Sequence, residues 1–242
     1  MDFSLFIPNM IKLWQEYWQL FLLQGLKTTL ILTAISVALG TVLGALVAMA
    51  KMSKSKIVRF LITVYIEIIR GTPILLQLYV FYFVLPNVLT FLKLSPFMWV
   101  SIALCINSSA YVSEVIRSGI QAVDKGQTEA ARSLGLSEKQ TMMKIVLPQA
   151  IRNILPALGN EFIMMLKETS LASTFFLGDI MTSYQIVKGA TYLTLEPLTI
   201  IAVIYLCITY PLSKVVERFE KKMASPNSYK KRNKKLMSGG KI

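Results

Sequence analysis

The stretch Glu129–Pro148 reads EAARSLGLSEKQTMMKIVLP and is polar and charged, although segments apolar enough to cross a bilayer lie on both sides of it. Its pattern predicts two short helices around a turn. The first is expected over about Lys125–Leu134, and Gly135 can adopt the positive φ that ends a helix. Ser137 and Gln140 have the capping-box spacing that opens the second helix, and the final proline of the stretch is expected to end it. A compact helical hairpin in a loop of a membrane protein presents a surface to a partner.

The composition is that of an integral membrane protein. Of the 242 residues, 54% are hydrophobic and 16% are charged. The windows Thr28–Ala50, Gly71–Leu92 and Leu94–Ser113 contain no Asp, Glu, Lys or Arg, and each has about the 20 residues that a membrane-spanning helix needs. Two further segments, Asn153–Leu166 with a single glutamate and the shorter Pro197–Ser213, bring the prediction to five spans.

The basic residues are concentrated in a few loops. The net charge is +13, and lysines and arginines cluster after the first span, in the loop 121–150 and between Lys214 and Lys241. The positive-inside rule therefore puts these segments and the C-terminus in the cytoplasm and the N-terminus outside. In a chain of this class the charge does not indicate nucleic acid as a partner.

Several residue types and motifs are absent from the sequence. The chain has no histidine, which excludes His-ligated metal sites and Ser–His catalysis. It also lacks a phosphate-binding Gly-Lys-Ser/Thr loop. Cys105 and Cys207 lie in apolar spans and are expected to be packing residues. Met1–Gln19 is aromatic and does not have the form of a cleavable signal peptide. We therefore expect no enzyme activity and no cofactor in this chain.

The hairpin resembles the EAA loop of the permease subunits of ABC importers. That loop has the pattern Glu-Ala-Ala, three residues, Gly, nine residues, Ile, one residue, Leu-Pro. The matching positions here are Glu129, Ala130, Ala131, Gly135, Ile145, Leu147 and Pro148. In the family this loop inserts into a cleft of the cytoplasmic ATPase, so the resemblance implies that these residues couple the chain to such a partner. A solvated hairpin without a partner and a DNA-binding helix-turn-helix are the alternatives, but adjacent spans would hold the hairpin too close to the bilayer for groove binding.

Three further stretches resemble the polar amino acid subfamily of these permeases. They are Glu67–Pro73 (EIIRGTP) followed by Gln77, Asn107–Ile120, and Leu166–Leu171 (LKETSL). The resemblance extends over about residues 25–218. Within the first stretch, Gly-Thr-Pro is expected to bend the second span, because proline removes a backbone hydrogen bond and disfavours helical geometry before it. Earlier in the chain, Gly40 and Gly44 have a small-xxx-small spacing that favours close helix packing.

Polar residues inside the spans are the candidates for contacting a substrate. A charged side chain at the centre of a span costs about 2.5–3.5 kcal/mol on insertion scales, so such residues face a protein interior or a wet cavity. The candidates are Thr72, Gln77, Asn107, Ser108, Tyr111, Glu114, Glu161, Lys167, Glu168 and Thr169. Structural roles remain open for three sets: an ion pair between Glu67 and Arg70, a bond from Glu114 to Arg117, and a network of ion pairs in the fourth span.

The resemblance implies an all-α integral membrane protein with five transmembrane helices, in the type I ABC importer permease fold with cytoplasmic EAA coupling helices. We expect an external amphipathic segment (1–19), a transmembrane domain (20–218) that contains the coupling loop 121–150, and a basic cytoplasmic tail (219–242). The membrane implied is the bacterial cytoplasmic membrane.

The implied function is uptake of polar amino acids by alternating access, and Glu161 favours basic ones. The expected partners are a dimer of ABC ATPase subunits that binds ATP and Mg, an external substrate-binding protein, a second permease protomer identical to this chain, and membrane lipid. An ion-gradient-driven secondary transporter or channel is one alternative, and a membrane anchor for a soluble enzyme is another. The first leaves the hairpin unexplained and lacks an internal 5+5 repeat, and the second does not need polar groups in the spans.

Overall fold

The chain is helical throughout the part that the structure describes, residues 3–223 of a computed structural model. No strand occurs in this range. The chain forms two compact units. One contains the described residues up to 114 together with 161–211, and the other contains 115–160 together with the described residues from 212.

The N-terminal helix is longer than the sequence predicts. Helix α1 (Phe6–Gln19) continues through a π-helical segment (Leu20–Leu26) into α2 (Lys27–Lys51), giving 46 helical residues. A helix of that length spans roughly 69 Å, about twice the hydrocarbon core. There is accordingly no turn between the predicted surface segment 1–19 and the predicted first span.

Glycines let α2 pack closely against α6 (Pro96–Gln121). A Cβ added at Gly40 would lie 2.6 Å from the Ser108 Cβ, and one added at Gly44 would lie 2.7 Å from the Val112 Cβ. Real carbon atoms do not approach that closely, so both positions need glycine. The small-xxx-small spacing thus serves packing within one chain, as predicted.

The predicted bend in the second span is confirmed. Helix α3 (Lys56–Gly71) and the helical segment Ile74–Val88 meet at 103°. The second segment comprises α4 (Ile74–Tyr79), a π-helical turn (Val80–Val84) and α5 (Leu85–Val88). Thr72 has extended backbone torsions, φ −115° and ψ 145°, as expected for a residue before proline.

Within residues 3–223, three helices are long and apolar enough to cross a membrane, namely Phe6–Lys51, Pro96–Gln121 and α11 (Leu195–Met223). The bent pair Lys56–Gly71 and Ile74–Val88 could form a fourth span. Helix α9 (Leu147–Glu168) has 22 residues but does not have the composition of an apolar span, because arginine, lysine and glutamates interrupt it. The count of five spans stays a prediction.

The segment after α9 contains two left-handed residues that are not glycine. A 3₁₀ helix (Thr169–Phe175) ends at Phe176 with φ 51°, and α10 (Ile180–Thr191) ends at Tyr192 with φ 58°. Helix α10 packs into an apolar cluster with α1, α11 and the first π-helical segment. The predicted basic tail, 219–242, lies outside the described residues except for its first turn, which completes α11.

The helical hairpin forms as predicted at its turn. Helix α7 (Lys125–Ser133) is followed by Gly135 with φ 84°, and Ser137 and Gln140 form a reciprocal capping box at the start of α8 (Glu138–Thr141). The prediction that Pro148 ends the second helix is wrong. The chain stays helical through a π-helical turn (Met142–Val146) into α9, where the Leu147 amide bonds to the Met142 carbonyl, five residues back. Pro148 thus lies within a continuous helix, two residues after the π-helical turn.

Candidate functional site

A cavity of about 360 Å³ lies at the break between α3 and α4. The 103° bend separates the two helices and leaves space at their junction, and polar side chains of α6 and α9 reach the same space. The residues that line it are Arg70, Gly71, Thr72, Pro73, Ile74, Asn107, Tyr111 and Glu168. Four of the predicted substrate residues, Thr72, Asn107, Tyr111 and Glu168, therefore meet at one cavity.

Gln77 holds the break together from behind the cavity. Its Nε2 donates to the Ile69 carbonyl at 2.7 Å and to the Thr72 side chain at 2.9 Å. Its Oε1 accepts from Asn107 Nδ2 at 2.9 Å. Thr72 Oγ1 donates to the Ile68 carbonyl at 2.8 Å. These two side chains thus satisfy carbonyls that the broken helix leaves without a partner, and Gln77 also fixes the orientation of Asn107.

Arg70 also lines the cavity. Its guanidinium stacks on the ring of Tyr111, 5.3 Å from the centroid, and lies 3.9 Å from Glu114 Oε2. Glu114 in turn accepts a 2.6 Å hydrogen bond from Lys51. Of the structural roles left open, the structure does not show the ion pair between Glu67 and Arg70: Glu67 is exposed on α3, and Arg70 pairs with a carboxylate on α6.

Ser108 and Glu161 are placed elsewhere in the same unit. Glu161 is 5% exposed and Ser108 is fully buried, next to Gly40 of α2. The Ser108 hydroxyl is a polar neighbour of the Glu161 carboxylate, although the geometry does not reach that of a hydrogen bond. Thr169 is buried and donates to the Leu166 carbonyl at 2.7 Å. Lys167 is exposed and is not among the residues that line the cavity.

The cavity contains one ionic residue that was not predicted as a substrate contact, Arg70. It lies directly before Gly71, the residue at which α3 ends. Its position in the stretch EIIRGTP, beside a predicted helix break, was the feature of the sequence that could have indicated Arg70 as a cavity residue. The sequence could not show whether its side chain turns toward Glu67 or toward α6.

The hairpin forms a second concave surface in the other unit. A cavity of about 520 Å³ lies between the end of α6, α7 and the start of the following helix, with Thr128, Arg132, Glu138 and Thr141 on its walls. The predicted coupling residues differ in their exposure to solvent. Ala131 is buried, whereas the exposed members are Glu129, Ala130, Gly135 and Pro148; Ile145 and Leu147 are intermediate.

Two large apolar side chains stand out from the hairpin surface. Leu134, at the turn, is 81% exposed, and Met143 is 57% exposed. Arg132 NH1 donates to the Leu136 carbonyl at 2.8 Å, which tightens the turn. The hairpin is thus internally satisfied at its turn and exposes two large apolar side chains on an otherwise polar surface.

Comparison with known proteins places this chain in a protein family. Residues 40–225 match the family described as binding-protein-dependent transport system inner membrane component. The arginine transport system permease protein ArtQ of Bacillus subtilis is 39% identical over 93% of this chain and 98% of its own length. The glutamine transport system permease protein GlnP of Escherichia coli is 35% identical over 87% of this chain and 97% of its own length.

Solved structures agree with the helical architecture. A crystal structure of an amino acid ABC transporter with histidines superposes with a TM-score of 0.81 at 44% identity, covering 86% of this chain and 95% of that one. The MetNI methionine ABC transporter in an inward-facing conformation has a TM-score of 0.69 at 17% identity, which is a likeness of fold. The resemblance inferred from the hairpin sequence is confirmed, and the chain belongs to the family of binding-protein-dependent transport system inner membrane components, the permease subunits of ABC importers.

Proposed function

We propose that this chain is the membrane-spanning permease of an ATP-driven importer of polar amino acids. Support comes from relatives named for arginine and glutamine transport, which it matches over most of its length. The cavity at the α3–α4 break adds a physical reason. It combines a guanidinium, a carboxylate, an amide and a hydroxyl within about 360 Å³, a polarity that suits a small zwitterion.

Basic amino acids are the favoured subclass. The acidic side chains of Glu168, at the cavity, and Glu161, buried nearby on the same helix, provide negative charge within the protein interior. Burying a carboxylate without a cation is costly, and a cationic substrate side chain would offset that cost. Asn107 and Thr72 provide neutral hydrogen-bonding groups at the same cavity.

The hairpin is the proposed contact with the ATPase. Its turn is stabilised by the capping box of Ser137 and Gln140 and by the left-handed Gly135, so it can transmit force as a rigid body. Leu134 and Met143 are exposed on its surface and would be covered by a partner. The chain itself contributes no nucleotide site in this mechanism; ATP and Mg belong to the partner ATPase.

The proposed cycle is alternating access. A loaded binding protein docks outside, ATP closes the ATPase dimer, and the two hairpins of a permease dimer are carried together so that the cavity opens outward. Hydrolysis returns the cavity to the cytoplasm. We propose a homodimer in the bacterial cytoplasmic membrane, with the hairpin and the C-terminus cytoplasmic and the N-terminus outside, an orientation that the distribution of basic residues favours.

The observation that carries the proposal is the match of nearly the whole chain to amino acid permeases, together with the charged cavity. The test is reconstitution of the chain with its ATPase and binding protein in vesicles, scoring ATP turnover and uptake against arginine, lysine, histidine, glutamine and cystine. We expect ATP-dependent uptake of at least one of these. Uptake that proceeds in vesicles lacking the ATPase would instead favour a gradient-driven transporter.

A further inference from the structure

The connection between α2 and α3 leads into a helix that begins with unpaired positive charge. Lys51, the last residue of α2, is neutralised by Glu114, whose carboxylate lies 2.6 Å from the lysine nitrogen. The next cations along the chain are Lys54, Lys56 and Arg59, which are exposed and form no ion pair with any residue among 3–223. We call these three residues the basic cluster.

The chain provides little negative charge to balance the basic cluster. Its three cations fall within positions 54–59, and Lys56 and Arg59 are three apart on α3, so they emerge from adjacent places on the helix surface. The sequence has no aspartate or glutamate between positions 51 and 66, and none after position 223. On α11, by contrast, Lys221 is paired with Glu217 at 2.7 Å. An anion from outside the chain would therefore meet unopposed positive charge at the start of α3.

An exposed apolar stripe begins beside the basic cluster and runs along α3. Its side chains recur at three- and four-residue steps, which puts them on one side of the helix; they are Ile57, Phe60, Leu61, Val64 and Ile68. Ile57 is 73% exposed and Phe60 is 66% exposed. The opposite side holds α3 in the protein, because Ile66 is fully buried and the Tyr65 hydroxyl donates to the Ile106 carbonyl of α6 at 3.1 Å. Among the residues that the structure describes, nothing covers the apolar stripe.

We propose that the start of α3 binds an anionic phospholipid, with the phosphate at the basic cluster and an acyl chain along the apolar stripe. A zwitterionic lipid fits less well, because its ammonium group lies close to the same cations. Each basic residue beside a membrane helix strengthens the binding of anionic lipid by about fivefold. Lys and Arg side chains can also reach a headgroup while their stems pack on apolar surface. Lipid binding of this kind is independent of the substrate and of the transport cycle, so the proposed function can stand if it fails.

Native mass spectrometry of the purified permease–ATPase complex in detergent counts bound lipids directly. The complex is mixed with equal concentrations of phosphatidylglycerol and phosphatidylcholine that have identical acyl chains, so that only the headgroup differs. We expect phosphatidylglycerol to bind roughly 10- to 100-fold more tightly, and the preference to fall with rising ionic strength because salt screens exposed charges. Inorganic phosphate in excess should not displace phosphatidylglycerol, since a free anion makes no contact with the apolar stripe.

Two triple variants that lose the same charge separate a binding site from a general effect of net charge. The first replaces all three residues of the basic cluster by glutamine and should bring the two lipids to equal affinity. The second replaces three exposed lysines elsewhere, Lys12, Lys93 and Lys188, by glutamine and should keep the wild-type preference. If the first variant unfolds, each of its single substitutions should still reduce the preference by about fivefold. Phe60→Ser combined with Leu61→Ser should weaken both lipids alike and keep their ratio.

Equal binding of the two lipids to the wild-type complex, or an equal loss of preference in both triple variants, would overturn the proposal. Displacement of phosphatidylglycerol by inorganic phosphate would do so as well, because it would make the basic cluster a site for free anions. Loss of the ATPase from the first triple variant, at an unchanged lipid ratio, would assign the basic cluster to the ATPase instead. Amino acid uptake is measured in parallel in reconstituted vesicles, so that a failure of transport is not mistaken for a failure of lipid binding.

Discussion

Glu161 is a carboxylate that is only 5% exposed and has a serine hydroxyl rather than a cation beside it. Charged groups of this kind persist in membrane helices because function requires them. Replacing Glu161 with Gln keeps the shape and removes the charge. We therefore expect Glu161→Gln to leave the thermal midpoint of the purified complex unchanged or raised, while uptake of basic amino acids falls much more than uptake of neutral ones.

The comparison that decides this prediction is the ratio of arginine to glutamine uptake in the same vesicles. A matched control is Glu196→Gln, at the start of α11, whose carboxylate accepts a 3.3 Å hydrogen bond from Asn9. That variant should leave the ratio unaltered. Equal losses for both amino acids in Glu161→Gln would show that the residue does not receive a cationic side chain.

At the level of single residues, the sequence was a better guide to which polar side chains line the cavity than to the contacts that those side chains make. Asn107 and Tyr111 are four positions apart, hence on one side of a helix, and both line the cavity. It could not distinguish Gln77, which works as a cap for the helix break, from a residue that contacts a ligand. The partner of Arg70 could not be predicted from the sequence either, because Glu114 is 44 positions away and the contact depends on how α3 packs on α6.

The hairpin is the first element whose rigidity can be tested. Gly135 has φ 84°, and a Cβ added there would meet nothing within 4 Å, so only the backbone conformation demands glycine. Asn tolerates left-handed geometry well, whereas a β-branched residue does not. We expect Gly135→Val to loosen the turn by at least about 1–2 kcal/mol, abolish uptake and release the ATPase on purification, and Gly135→Asn to retain most of both.

Copurification of the ATPase and ATP-driven uptake, measured on membranes with equal amounts of each variant, check this prediction. Coupled uptake at the wild-type rate in Gly135→Val would contradict a role for the turn in coupling.

The close packing of α2 against α6 can be tested in the same way. Adding a methyl at Gly40 would place it 2.6 Å from the Ser108 Cβ, and overpacking of this kind typically costs about 1–3 kcal/mol. We expect Gly40→Ala to lower the thermal midpoint and Ser108→Gly, combined with it, to restore part of the loss. Gly71→Ala is the control, because a Cβ there meets no atom within 4 Å.

The double-mutant cycle is read from thermal unfolding of the four purified proteins. Additive effects of the two substitutions would indicate that the two helices do not meet at this point, since residues in contact show coupling energies while distant ones add.

At the level of elements, the sequence predicted that helices form, that the second span bends at Gly71–Pro73 and that the hairpin turns at Gly135. These predictions rested on glycine, proline and helix-capping residues. The π-helical segments could not be predicted in this way, because one extra residue per turn leaves no composition signal. Pro148 shows the consequence: proline after a regular helix predicts an end, but after the turn Met142–Val146 the helix continues. The uninterrupted helix Phe6–Lys51 also escaped prediction, since its aromatic beginning is typical of a surface segment.

The orientation of the whole molecule in the membrane can be tested with single cysteines. Cys105 is buried and Cys207 is exposed, and both can be replaced by serine. Leu134 at the hairpin turn is 81% exposed and Tyr192 at the end of α10 is 91% exposed. In intact cells we expect a membrane-impermeant maleimide to label Tyr192→Cys but not Leu134→Cys.

After the cells are opened, both positions should react, which controls for accessibility. Labelling of Leu134→Cys in intact cells would reverse the orientation that the positive charges favour. At this scale, hydropathy predicted a membrane protein, and the orientation that the charge distribution favours stays a prediction. The number of spans depends on how α9, with its interior charges, is accommodated.

The turn Met142–Val146 has a consequence for the evolution of this protein. A helix advances about 100° in azimuth per residue, so deleting a single amino acid there would convert the turn to regular α-helix and rotate the hairpin by about that angle around the axis of the first turns of α9. Spacing in this segment is therefore expected to tolerate far fewer insertions and deletions than loops of similar exposure, and a library of one-residue deletions should find this stretch intolerant.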